Sequence, residues 1–147
     1  VQEVVKYETN FNSSVGKRIA YAINSWDIIK KNPILGVGTG DFPTEFKKVG
    51  EKNKNLSGSN PTNPHNMYNL VTIQLGLLGL ISFLSIFYYQ FKFALSASSK
   101  FTRNVGFTLP ALFLVIMFSD SYLLGHFTTL LYVYFSSFLY KDFEQTE

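Results

Sequence analysis

PTNPHNMYNLVTIQLGLLGLISFLSIFYYQF, residues 61–91, joins a short polar segment with two prolines to a run, Asn66 to Phe91, that has no formally charged side chain. Its 26 residues, at a helical rise of about 1.5 Å each, would reach about 39 Å, enough to cross a hydrocarbon core of ~30 Å with some tilt. His65 stands where that helix begins. The stretch predicts a transmembrane helix over 66–91 with a proton-exchanging side chain at its mouth, and so chemistry at a membrane surface.

Outward from this stretch the charges are segregated. Residues 1–65 carry nine of the thirteen Lys/Arg and six of the ten Asp/Glu. Beyond Phe91 two more charge-free blocks follow, 104–119 and 121–140. They predict a second span over 104–119, kinked at Pro110, and a third over 120–140 with Asp120 at the interface. Charge-free stretches of 26, 16 and 20 residues leave little for the solvent faces of a soluble bundle. Gly76 and Gly79, about a turn apart, are expected to open a face for a close helix neighbour.

Lysine placement sets the expected topology. The connection 92–103 carries Lys92, Lys100 and Arg103 and no acid, which puts it in the cytoplasm by the positive-inside rule. Residues 1–65 then form an external loop, Asp120 returns to the side of His65, and the tail 141–147 lies inside. The chain starts at Val1 without an initiator Met and reads as an internal or C-terminal piece of a longer protein. The absence of cysteine removes disulfides and thiolate ligands. A formal charge of +3 without a recognisable module gives no basis for nucleic-acid binding.

Within the external segment, Arg18 to Lys31 predicts a helix capped by Ser13 or Ser14. Ile19, Ala20, Ala22, Ile23, Trp26 and Ile29 form its apolar stripe, and the helix is too short to span. It would lie on the membrane surface or cover the spanning helices. Asn32-Pro33 ends it. The following ILGVGTGDF, 34–42, places glycines at 36, 38 and 40. These permit a turn whose N–H groups could face an anion, or a plain connector to a short helix starting near Asp41 or Phe42 with Pro43 in its first turn. Residues 47–63 read as solvated loop.

The groups with chemistry on the outer side are Arg18, His65, Asn66, Asp120, His126 and the glycine turn. Arginine offers fixed bidentate donors to phosphate. Histidine suits removal of a proton from a hydroxyl near neutral pH. Without paired carboxylates the two-acid route of glycoside hydrolysis is disfavoured. Neither a metal site nor a cofactor is expected.

These residues, in this order, resemble a known family. Arg18 and Trp26, then NPILGVGTGDF at 32–42, are similar to an Arg…Trp…(R/N)P-x-x-G-x-G-x-G-x-F signature, and His65 followed by ten residues and Gly76 resembles a His-x10-Gly motif. The resemblance, from Arg18 to about Tyr140, is to the O-antigen ligase / O-antigen polymerase-like family of polytopic bacterial membrane proteins. It implies a mainly α, GT-C-like membrane helical bundle fragment: an external loop with short amphipathic helices, followed by three transmembrane helices of the inner membrane. The implied activity is inverting transfer of a glycan from undecaprenyl pyrophosphate to a sugar hydroxyl of lipid A-core, without a nucleotide cofactor. The family's loop arginine falls on Arg18 and its histidine on His65. A second family arginine, from an earlier loop, has no counterpart in these residues. Asn66, Gly36, Gly38, Gly40 and Asp120 are expected in support. Polysaccharide polymerases and protein O-glycosylating ligases share the architecture. A membrane transporter component and a non-catalytic interaction module are the readings outside transfer chemistry.

Overall fold

The computed structural model describes residues 13–53 and 61–140. Among these the chain is helical, without strands: α1 Ser14–Ile29, α2 Phe42–Lys52, α3 Met67–Ser96, α4 Lys100–Ile116 and α5 His126–Leu139, with a short 3-10 turn at Tyr122–Leu124. The expected tail 141–147 and, of the expected external loop, residues 1–12 and 54–60 lie outside the described residues.

α1 starts where a serine can cap it. Ser13 is extended and its hydroxyl accepts from the Gly16 N–H at 3.0 Å, satisfying one of the donors a helix start leaves free. The face that packs coincides with the expected stripe only at Ala20 and Ile29. Ala20, Tyr21, Asn24, Ser25, Ile28 and Ile29 are buried, whereas Ile19, Ile23 and Trp26 are exposed. Small side chains let α1 approach its neighbours closely beside Ile28 and Ile29, while Ile19, Ile23 and Trp26 point away from them.

α2 has Pro43 in its first turn, where a missing N–H costs nothing. Its helix runs to Lys52, so residues 47–52, expected as loop, are helical. The cause is a helical row of Phe42, Phe46 and Val49, all buried. Tyr21, Ile28 and these side chains join Met67, Leu70, Val71 and Ile73 of α3 in one apolar core. Phe42 is fully buried. Phe42→Ala is expected to destabilise the fold by about 3–5 kcal/mol through the cavity it leaves, read as a lower denaturation midpoint.

α3 is long and apolar enough to cross a membrane, and it alone is so among the described residues. α4 has 17 residues and α5 has 14, so the expected three-span bundle is represented by one long helix and two shorter ones. The expected third span, 120–140, does not run as one helix. Its first residues form a turn, and α5 starts only at His126. α4 is continuous through Pro110. The non-helical part of the expected 92–103 connection shrinks to 97–99, because α3 extends to Ser96 and Ser99 caps α4. So short a link makes α3 and α4 antiparallel neighbours, with Phe91 against Phe107 at 4.8 Å between ring centroids. α5 adds Tyr132, packed on Phe113 at 4.4 Å and hydrogen-bonded to Gln90.

The glycine turn and α3 meet through backbone, and this corrects the expectation for Gly76. Gly76 breaks α3, with φ 67° and ψ −166°, a region open essentially to glycine. A break leaves carbonyls above it and N–H groups below it without helical partners. The turn after α1 supplies both kinds. Val37 N–H donates to the Ile73 carbonyl at 2.8 Å and Gly38 N–H to the Gln74 carbonyl at 3.0 Å. In return, Leu77 N–H donates to the Pro33 carbonyl at 2.8 Å and Leu78 N–H to the Ile34 carbonyl at 3.3 Å. The approach is close on both sides. A Cβ on Gly76 would overlap the Ile34 carbonyl, and one on Gly36 would lie 2.5 Å from the backbone of Gln74. Gly76 therefore accommodates a loop rather than a neighbouring helix.

Candidate functional site

The site is assembled where α3 begins and α4 ends. Asn66 caps α3, its Oδ1 accepting from the Asn69 N–H at 3.0 Å. Its Nδ2 donates to the Phe118 carbonyl at 3.1 Å. Met67 N–H reaches the Met117 carbonyl at 3.0 Å and Tyr68 Oη the Leu114 carbonyl at 2.5 Å. Three bonds thus tie the head of α3 to the foot of α4 and carry Asp120 to the side of His65.

His65 has a left-handed backbone, φ 50°, uncommon for a residue with a Cβ. Asn63 holds it there, its Oδ1 accepting from the His65 N–H at 2.8 Å. The imidazole Nδ1 lies 3.1 Å from Asp120 Oδ1, with both side chains about 40% exposed. The same carboxylate oxygen accepts from the Ser121 N–H at 2.7 Å. With Nδ1–H donating to Asp120, the lone pair on Nε2 is left available as a proton acceptor. Tyr21 of α1 stacks on the imidazole, with ring centroids 5.8 Å apart and planes 19° apart. Phe46 packs edge-on against Tyr21, with ring centroids 5.6 Å apart.

Around the pair lies a cleft of about 200 Å³ lined by Ser14, Lys17, Arg18, Tyr21, His65 and Asp120. Arg18, His65 and Asp120 of the expected set therefore share one cleft. Asn66 stands beside it as the cap. Gly36 and Gly38 are at the break of α3, where the N–H groups of Gly36, Val37 and Gly38 are taken by backbone carbonyls. Gly40, with φ 89°, has open space where a Cβ would be. His126 is exposed at the start of α5 and does not line the cleft. Lys17, Tyr21 and Asn63 were not singled out from sequence, and Ser14 only as a candidate helix cap. Lys17 adjoins the arginine and Tyr21 lies one helical turn from it, so the 3.6-residue period could have placed Tyr21 on the same edge.

Chemically, the cleft combines two cations from one helix turn with an imidazole whose one nitrogen faces a carboxylate. Two adjacent cations suit a multiply charged anion such as a pyrophosphate. Among the described residues no three His, Asp or Glu side chains converge.

A family model described as O-Antigen ligase matches residues 1–84. Among curated proteins and among solved structures, none matches the chain. The matched stretch takes in Arg18, the glycine turn, His65 and the break at Gly76, and it ends before α4 and Asp120. It is shorter than the resemblance read from sequence, which extended to Tyr140. It nevertheless covers more than half of the 147 residues, and the chain belongs to the O-antigen ligase family.

Proposed function

We propose that this chain carries the outward-facing catalytic cleft of a membrane glycan transferase. The donor would be a glycan on undecaprenyl pyrophosphate and the acceptor a sugar hydroxyl of lipid A-core. The observation that supports this best is the convergence of Lys17, Arg18 and the His65–Asp120 pair on one cleft at the head of the apolar helix. Family membership supports glycan transfer in general.

Depth supports the same reading. With Lys92 at the inner edge and α3 along the membrane normal, a core of ~30 Å takes up about 20 helical residues and ends near Thr72. Met67 then stands about 8 Å beyond the core, in the headgroup layer, with His65 beside it. A lipid-borne pyrophosphate occupies that layer too. Residues 1–65 lie outside in this topology, 92–103 and the tail inside, and α4 and α5 complete the passes.

In the reaction, the acceptor oxygen forms a bond to the anomeric carbon as the bond from that carbon to the phosphate oxygen breaks, with inversion. The hydroxyl proton passes to Nε2 of His65, and Asp120 stabilises the imidazolium that results. Arg18 and Lys17 neutralise the charge that grows on the departing lipid pyrophosphate. Asn66 and Asn63 hold the histidine at the helix mouth, and the glycines bring the loop backbone close to α3.

The deciding experiment is complementation of a ligase-null strain by the full-length protein, with lipopolysaccharide analysed by gel and mass spectrometry. Glycan joined to core supports the reading. Glycan lengthened only on its carrier reassigns the same cleft to polymerisation, and neither product overturns transfer. Asp120→Asn keeps a hydrogen-bond acceptor for Nδ1–H but removes the charge. It is expected to lower the turnover number on the order of 10-fold or more with little change in donor KM, and unchanged turnover would remove Asp120 from the mechanism.

A further inference from the structure

Leu35 is 74% exposed and Ile34 is 60% exposed, although both belong to a turn held tightly against α3. We infer that this turn inserts into the outer leaflet, with Ile34 and Leu35 in contact with lipid acyl chains. The inference rests on α3 spanning the membrane and is independent of the reaction assigned to the cleft.

The backbone clamp fixes where the pair sits. The Ile34 carbonyl accepts from Leu78 N–H and the Pro33 carbonyl from Leu77 N–H, so the turn cannot move along α3 without losing both. At that level α3 changes character. Above the break Leu70, Val71, Thr72 and Ile73 are buried, and from Leu75 onward Leu75, Leu77, Leu78 and Ile81 are exposed. This exposed row, on the part of α3 that carries no charge before Lys92, is the surface that lipid covers, and Ile34 and Leu35 lie beside it. On the depth scale set by Lys92, Gly76 lies about 6 Å inside the hydrocarbon boundary.

Irregular backbone near this depth needs internal partners for its polar groups. Many of the turn's groups have them: the Pro33 and Ile34 carbonyls accept from α3, Gly36, Val37 and Gly38 donate to carbonyls of Asn32, Ile73 and Gln74, and Pro33 brings no N–H. This leaves the Ile34 and Leu35 N–H groups as the two without a backbone acceptor among the described residues. Trp26, exposed two turns before Pro33 with the Lys30 ammonium 5.5 Å from its ring centroid, has the amphipathic character of a residue at the water interface. The turn would thus anchor the foot of the external segment and keep Arg18 at headgroup depth.

The test is site-directed spin labelling of the full-length protein in phosphatidylcholine/phosphatidylglycerol liposomes, any other cysteines having been replaced. Labels go at Leu35→Cys and, separately, Ile34→Cys, with Ile81→Cys as the acyl reference and Lys48→Cys as the aqueous one. Collisional access to oxygen relative to a water-soluble nickel chelate is expected to match Ile81→Cys and to exceed Lys48→Cys several-fold. A ratio like that of Lys48→Cys would overturn the inference by placing the turn in water. Protection from both reagents at both positions would also overturn it, by showing another protein surface over the turn.

Discussion

His65→Ala in the full-length protein is expected to reduce glycan transfer at least ~10²-fold, with expression and membrane insertion matched. Alanine removes the proton acceptor and leaves Asp120 without its side-chain partner. The left-handed backbone at residue 65 is less costly for asparagine than for alanine, so His65→Asn serves as the companion variant, keeping the turn while removing the base. Arg18→Ala is expected to lose a comparable factor by a different route, since a departing pyrophosphate would meet one cation instead of two. Combining His65→Ala with Asp120→Asn should cost little more than His65→Ala alone, because the carboxylate acts through the imidazole. Product formation from purified lipid-linked donor measures all of these. Near-normal transfer by His65→Ala would move the chemistry out of this cleft.

Gly76→Ala carries the second large expectation, this time in stability. At φ 67° and ψ −166° a Cβ introduces strain of about 1–3 kcal/mol, and it would overlap the Ile34 carbonyl as well. Either the turn is displaced, losing four backbone hydrogen bonds between 33–38 and 73–78, or α3 straightens and expels it. A loss on the order of 3 kcal/mol or more follows from the strain together with the unpaired groups left near the membrane. Gly50→Ala is the control. It lies within α2 with open space around its Cβ, and alanine there should be neutral or slightly stabilising. Denaturant unfolding in detergent, monitored by circular dichroism, compares the two. Equal midpoints for Gly76→Ala and the parent protein would mean that the clamp contributes nothing to holding the external segment.

Much of the helical layout was legible because it depends on local signals. Ser13 caps α1, Pro43 opens α2, and the charge-free run yields α3, each through interactions within a few residues. The stripe on α1 was only partly legible, for a physical reason. Periodicity identifies an apolar face without saying what touches it, and here Ile19, Ile23 and Trp26 of the stripe face outward while its Ala20 and Ile29 pack together with Asn24 and Ser25. Gly76 was ambiguous in a similar way. A glycine inside an apolar run can admit a neighbouring helix or end hydrogen bonding, and the choice depends on whether a loop 40 residues earlier arrives with matching backbone groups.

The candidate site divides along the same line. Arg18 and His65 were identifiable from their chemistry and motifs, and charge placement suggested a shared side for His65 and Asp120. Contact at 3.1 Å between groups 55 residues apart needed the antiparallel docking of α4 on α3. So did the stacking of Tyr21 on the imidazole, which depends on α1 crossing the head of α3. Composition and local spacing thus established a helical chain with an apolar helix and a histidine at its entrance, since hydropathy, capping and charge act over short stretches. The cleft itself, the break in α3 and the loop that fills it arose only on folding, because each is made by partners that are distant along the chain and meet only when the helices pack.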